Sequence, residues 1–334
     1  MKKQVFFIFI LSVAFFSCKE QHYLKGKKDS SIQVHFRRFD QDFNALRTAD
    51  ISTQKAYLAQ TYPDLYEIYN RGIIRVGAHS SPDYKERVLR FLNDSIYQIV
   101  YDTVQYHFQD LSSEEKKLTE AFQNYHLLFP QRQIPACYTH ISGFNEPIVV
   151  GDSILSISLE NYLGEEHQFY KNLGVYNYML AKKNRQNLAC DAMRGWLMAE
   201  FLDDDQPGKL LDRMIQEGKL LFILEVIMPD EAPYRLIGLR PEQYVWSQNN
   251  ERQLWTFAIE HEHLYSTHQL TISKYFQDGP FFNFLGSGSS PLVGKYLGWQ
   301  IVRSYMKNNK ELSIQDLINT SNSQDILQHS GYKP

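Results

Sequence analysis

"MIQEGKLLFILEVIMP", residues 214–229, decides how this chain folds. Successive helical residues lie 100° apart, so Met214, Glu217, Leu221 and Leu224 share one stripe of a helix. An apolar stripe faces a core, and it carries Glu217 inward with it. A buried carboxylate costs free energy unless it is paired or ligating. The preceding helical stretch, "LACDAMRGWLMAEFL" (188–202), puts Cys190, Met193, Leu197 and Phe201 on one face with Arg194 among them. Arg194 and Glu217 are therefore expected to form a buried ion pair at a candidate pocket. The alternative is a pocket acid.

Outward from this pair the helical period dominates. It predicts helices over 208–227, 241–264 and 292–308, with two short ones near 313–319 and 323–329. Asp40 to about Phe129 also reads as helical, and Ser112 and Glu115 stand in capping-box spacing. Three stretches change period. "IQVHFRRF" (32–39) alternates as a strand does, and "IPACYTHISGF" (134–144) and "PIVVGDSILSISL" (147–159) are strand-like, with Gly151-Asp152 as a two-residue turn. The expected fold is α+β, mainly helical, with one domain over 32–334 and a small antiparallel sheet.

Composition allows a large core. Of 334 residues, 22 are Tyr, 21 Phe and 4 Trp, which excludes disorder. The net charge of −3 carries no basic stripe of the kind that nucleic acid needs. Cys137 and Cys190 either pair or remain two buried thiols.

At the N-terminus, Lys2 and Lys3 precede an apolar run from Val5 to Phe16, followed by Ser17 and Cys18. Such a run is too short to span a bilayer, which needs roughly 20 apolar residues. It reads as a lipoprotein signal over 1–17, cut before Cys18, which then carries the lipids. Residues 18–31, ending in "KEQHYLKGKKDSS", read as a flexible tether. The anchoring membrane is the cell membrane or the outer membrane.

The other chemical motifs fail on spacing. "IEHEHLYSTH" (259–268) holds three histidines, but in a continuous helix His261 and His263 point about 200° apart. A zinc-binding pair wants histidines four apart, and no two in the chain are. The expected reading is a wet helix end with Leu264 and Tyr265 turned inward. "GSGSSPLVGKY" (286–296) has five residues between Gly288 and Gly294 and Tyr296 after Lys295, which excludes a phosphate loop and hence a nucleotide. No Gly-x-Ser-x-Gly elbow is present. No catalytic residue, metal ligand or cofactor is assigned.

Several segments together resemble the gliding motility lipoprotein GldB family of Bacteroidetes: "RFDQDF" (38–43), "YTHISGFN" (138–145), "LENYLG" (159–164), "CDAMRGWLMAEF" (190–201), "MIQEGK" (214–219), "LYST" (264–267), "LGWQIVRSYM" (297–306) and "ILQHSGYKP" (326–334). The resemblance implies an envelope lipoprotein associated with gliding and its linked secretion machinery, its protein partners unnamed. The residues after Cys18 lack the acidic run associated with surface export in that phylum, so a periplasmic face is expected. A weaker resemblance, to predicted zinc peptidases with a zincin-like fold, aligns "SILSISL" with an edge strand and Glu217-Gly218 with a third-ligand motif. It puts Arg194, Gly195 and Met198 where His, Glu and His would stand, so the metal site is degenerate. These readings imply a non-catalytic binding or scaffold protein, a pseudoenzyme with an aromatic-rich cleft near Arg194 and Glu217. The rival is a divergent metallopeptidase.

Overall fold

The computed structural model describes residues 23–202 and 208–334; the expected signal over 1–17 and Cys18 lie outside them. Six helices come first: α1 (Phe39–Asn44), α2 (Ile51–Thr61), α3 (Pro63–Ile68), α4 (Tyr84–Leu92), α5 (Ser95–His107) and α6 (Ser112–Leu128). Strands β1 (Ala136–His140), β2 (Ile148–Gly151) and β3 (Ile154–Ser158) follow. The rest is helical: α7 (Gln168–Asn172), α8 (Asn177–Leu180), α9 (Leu188–Phe201), α10 (Leu210–Ile227), α11 (Pro233–Ile237), α12 (Pro241–Asn249), α13 (Glu251–Glu260), α14 (Gln269–Phe276), α15 (Val293–Asn308), α16 (Ile314–Asn319) and α17 (Ser323–Ser330). The fold is thus α+β and mainly helical.

Aromatic side chains build the N-terminal half of the core. Phe39 and Phe43 of α1 pack edge-on against Tyr66 and Tyr69. The Tyr66 and Tyr84 hydroxyls share a hydrogen bond, and Tyr84 donates to Asn70, so these buried rings keep their polar ends satisfied. The C-terminal half centres on α10, whose buried positions run round the whole helix, as a core helix requires. α6, α9 and α15 pack around it.

α10 and α15 cross with backbone against backbone. A Cβ on Gly298 would penetrate the Met214 carbonyl, and one on Gly218 would meet the Gly298 carbonyl and lie 2.9 Å from the Trp299 nitrogen. Only glycine permits this approach. Beyond the crossing, Glu225 of α10 accepts from the Trp299 indole (3.1 Å) and from Arg303 (2.8 Å), and the Arg303 guanidinium lies over the Trp299 ring.

The sheet departs from expectation. It is mixed, ordered β1-β3-β2, with β1 and β3 parallel and β2 and β3 antiparallel. β3 is buried at every position while β2 is only partly so, as their central and edge places in the sheet require. "SILSISL" is therefore the middle strand, and β2 forms the edge beside α9. Residues 32–39 make no strand beyond a single bridge, Arg37 to Tyr138. Their N–H groups go elsewhere: Val34 donates to the Thr119 hydroxyl (2.9 Å) and Phe36 to the Glu115 carboxylate (2.8 Å), both on α6. Glu115, drawn away to Phe36, does not complete a capping box; Asp110 accepts from the Ser112 N–H instead.

Two further expectations need correction. Helix 241–264 is broken at Asn250 and ends at Glu260. The tether does not run to Ser31 as free chain. Tyr23 sets its ring edge on Phe222 at 5.5 Å and donates to the Met306 carbonyl at 3.4 Å, and Gln123 donates to the Ile32 carbonyl.

Cys137 on β1 and Cys190 on α9 are free thiols, each pushed up to about 12 by burial. Neither is expected to react with a thiol reagent in the native protein at neutral pH, since the thiolate is the nucleophile. Both should titrate after denaturation without reductant. Fewer than two thiols in the denatured protein would contradict this assignment.

Candidate functional site

Helical period alone turns Glu217 inward, and the crossing at Gly218 decides what it meets. Lys295 stands on the first turn of α15, and its ammonium lies 3.0 Å from the Glu217 carboxylate. Burial pushes Lys295 below the ordinary lysine range, with Glu217 opposing that shift. The expected pairing of Glu217 with Arg194 is not what forms. Arg194 reaches Asp191, one turn back on its own helix, at 2.9 Å. It also donates to the carbonyls of Arg235 (2.7 Å) and Leu236 (2.6 Å) in the last turn of α11. Helix ends leave such carbonyls without intrahelical partners, and a planar five-donor guanidinium suits them better than one distant carboxylate. Burial pushes Asp191 above the ordinary range, and Arg194 works against it.

Arg194 and Glu217 nonetheless line one cavity of about 140 Å³. Lys295 lines it too, with Lys182 and Asp278, which form a second ion pair. The walls are aliphatic: Leu197, Leu220, Leu221, Leu224 and Ile237 face it, with Phe276 as the one aromatic in the lining. The expected aromatic-rich cleft is thus a leucine-walled one. Counting Asp191 behind Arg194, three cations stand against three anions, so the walls hold no surplus charge for an ionic ligand. A volume near 140 Å³ suits one aliphatic or small aromatic side chain, by analogy with apolar cavities of about 150 Å³ that take benzene.

The residues do not suit a catalytic cation. Glu217 already carries an ammonium, and Arg194 and Met198 are not ligands. Gly195 lies where a Cβ would stand 2.8 Å from Ile148 Cγ2, so α9 is pressed against the sheet edge β2. Among the described residues no group of three or more His, Cys, Asp or Glu is placed to hold a metal ion.

The histidines of 259–268 lie apart from this cavity, and the reasoning from a continuous helix does not survive. Glu262 takes a left-handed φ of 57°, and this brings the His261 and His263 rings to 5.6 Å. His263 shares a hydrogen bond with the Tyr275 hydroxyl at 3.0 Å and packs on Phe284. Leu264 is buried as expected, but Tyr265 is 51% exposed and lines a shallow groove with Trp255 and Ile259.

Sequence reasoning missed a second polar cluster, under "YTHISGFN". Glu160 is fully buried and accepts from the Ser142 N–H (2.6 Å), the Phe144 N–H (3.1 Å) and the Ser158 hydroxyl (2.6 Å). It clamps the turn in which Gly143 and Phe144 both have positive φ. His140 bonds Ser156 (2.8 Å) beside it, and burial lowers its pKa. Solvent does not reach these side chains, which makes the cluster a brace for the loop between β1 and β2. The positive-φ pair is a signal that Gly143 alone only half announces.

The family model described as gliding motility protein GldB matches residues 20–334. The chain belongs to that family. The match takes in every element that builds the cavity, and the family is one of motility components. No characterised protein and no solved structure matches the chain. Among the described residues no helix is long and apolar enough to cross a membrane.

Proposed function

We propose that this chain is a periplasm-facing envelope lipoprotein, anchored through lipidated Cys18, which serves gliding motility and its linked secretion machinery by binding rather than by catalysis. The carrying observation is the Glu217–Lys295 pair: the acid that a metallopeptidase would give to a cation is neutralised by an ammonium 3.0 Å away. In this reading the body is zincin-like with a degenerate metal site. Support comes from Arg194, Gly195 and Met198 on α9, with β2 as the edge strand beside them. The cavity takes an aliphatic side chain from a segment of an envelope partner, with Lys182 and Asp278 at its polar rim.

Met198, 38% exposed on the cavity lining, is the place to test this. A partner crosslinked to the wild-type protein in intact envelopes should be lost from Met198→Trp, which closes the rim, while the variant's thermal midpoint stays unchanged. Equal recovery with both proteins defeats the cavity as the binding site. Stoichiometric zinc in the purified protein would overturn the non-catalytic reading. Cys18→Ser should release the protein from membranes, and continued retention would refute the anchor.

A further inference from the structure

Tyr23 is docked, not loose, and Cys18 stands only five residues before it. Five peptide units span at most about 17 Å when fully extended. A domain of some 310 residues has a radius of gyration of about 19 Å. A lipid on Cys18 therefore cannot hold the domain at arm's length and let it tumble. The face where Tyr23 docks must stay near the bilayer.

That face has a composition of its own. Lys25, Lys27 and Lys28 follow Tyr23 and are all exposed, and Lys307, next to the Met306 carbonyl that Tyr23 bonds, is exposed as well. Of the acids nearby, Asp29 accepts from both the N–H and the hydroxyl of Ser31, and Glu225, close enough to raise the Tyr23 pKa, is paired with Arg303. Lys19 and Glu20, in the intervening chain, cancel. Residues 23–31 hold three lysines against one aspartate, a local excess of positive charge in a chain that as a whole carries −3.

We infer that the Tyr23 face, with Lys25, Lys27, Lys28 and Lys307, is a docking surface for anionic phospholipid headgroups, which fixes the orientation of the domain on its membrane. The inference rests on the lipidation of Cys18 proposed above. It also deepens the reading of the cavity. Taking Glu217 as the origin, the cavity-lining residues Leu220, Leu221 and Leu224 cluster within about 60° of it, whereas Phe222 stands at about 140°. Tyr23 thus packs on the far side of α10 from the cavity wall, and anchoring there turns the cavity away from the lipid. α14, which also lines the cavity, packs on the opposite end of α15 from Met306: a Cβ on Gly294 would lie 2.6 Å from Phe276. The twelve helical steps from Gly294 to Met306 separate the two ends by about 18 Å.

The test is amine footprinting of the mature lipidated protein on phosphatidylcholine vesicles, with and without phosphatidylglycerol, read by mass spectrometry. Acylation of Lys25, Lys27, Lys28 and Lys307 should fall about fivefold relative to Lys274 of α14 when phosphatidylglycerol is present. That is the factor matching about 1 kcal/mol per lysine near an anionic surface, and high salt should abolish it. In Tyr23→Ala, which undocks the segment, Lys307 should lose its protection while the lipid is retained. Equal acylation of both faces on a protein that carries the lipid overturns the orientation. A mass for the N-terminal peptide without lipid overturns the anchor itself, and the two failures are read separately. Persistent protection of Lys307 in Tyr23→Ala would show that docking at Tyr23 does not orient the domain.

Discussion

Gly298→Ala is expected to lower the thermal midpoint by about 6–12 °C. Its new Cβ would penetrate the Met214 carbonyl on α10, and the neighbouring contact, Gly218 against the Gly298 carbonyl, leaves no room to slide. Both obstacles are backbone, which no rotamer change relieves. The cost should sit at the upper end of the overpacking range, about 3 kcal/mol, and each kcal/mol moves the midpoint by roughly 2–4 °C in a protein of this size class. The sign is diagnostic. At an exposed helical site the same change stabilises by about 1 kcal/mol, because alanine is the better helix former. A midpoint by circular dichroism that is unchanged or raised would mean that α10 and α15 do not touch at this point. The same substitution should also disturb the cavity, since the crossing is what brings Lys295 to Glu217.

Glu217→Gln should destabilise the protein by about 3 kcal/mol at neutral pH, the lower end for breaking a buried pair. Lys295 keeps its charge but loses its counterion, and its side chain is only 19% exposed. Glu217→Gln/Lys295→Met should recover most of the loss, because no uncompensated charge then stays inside. The pH dependence has a defined sign. Burial sets the folded-state value of Lys295 below its unfolded value, so the unfolded chain binds more protons between the two. Stability therefore rises with pH through that window, and the Glu217→Gln deficit should narrow as pH climbs from neutral toward the ordinary lysine value. Chemical denaturation at several pH values reads this directly. Arg194→Met is the comparison: it strands Asp191 and the α11 carbonyls, and because Arg194 shares the cavity with Glu217 without touching it, its coupling to Glu217→Gln should be smaller than that of Lys295. Strong coupling to Arg194 and none to Lys295 would return the pairing to the one the sequence suggests.

The contrast between these two partners shows where sequence reasoning stops. That Glu217 faces inward follows from the 3.6-residue period of its own helix, and the same period locates α9, α10 and α15 closely. Which cation answers Glu217 depends on how α15 lies across α10. Lys295 reads in sequence only as a misplaced phosphate-loop lysine. The signal that was available is Gly298 on α15 and Gly218 on α10, the glycines at the crossing, while Gly294, four before Gly298, makes room for Phe276 of α14. Small residues so placed let helices approach closely, and close approach sets which neighbouring side chains meet. The histidine pair fails for a related reason: a single left-handed residue, Glu262, undoes any angular argument that assumes an unbroken helix.

What the sequence determined by itself was local: helical period, inward and outward faces, the mainly helical class, the spacing failures that remove the phosphate loop and the helical zinc pair, and a turn between β2 and β3, which falls at Asp152-Ser153 and not at Gly151-Asp152 because Gly151 still pairs with Ile154. What only the tertiary structure decided was pairing: Lys295 with Glu217, Arg194 with Asp191 and α11, β3 between β1 and β2, and Tyr23 against Phe222. The division is physical. Backbone geometry repeats every few residues and is written in neighbouring side chains, whereas a contact between residues 217 and 295 depends on the packing of whole helices, which no window of sequence contains.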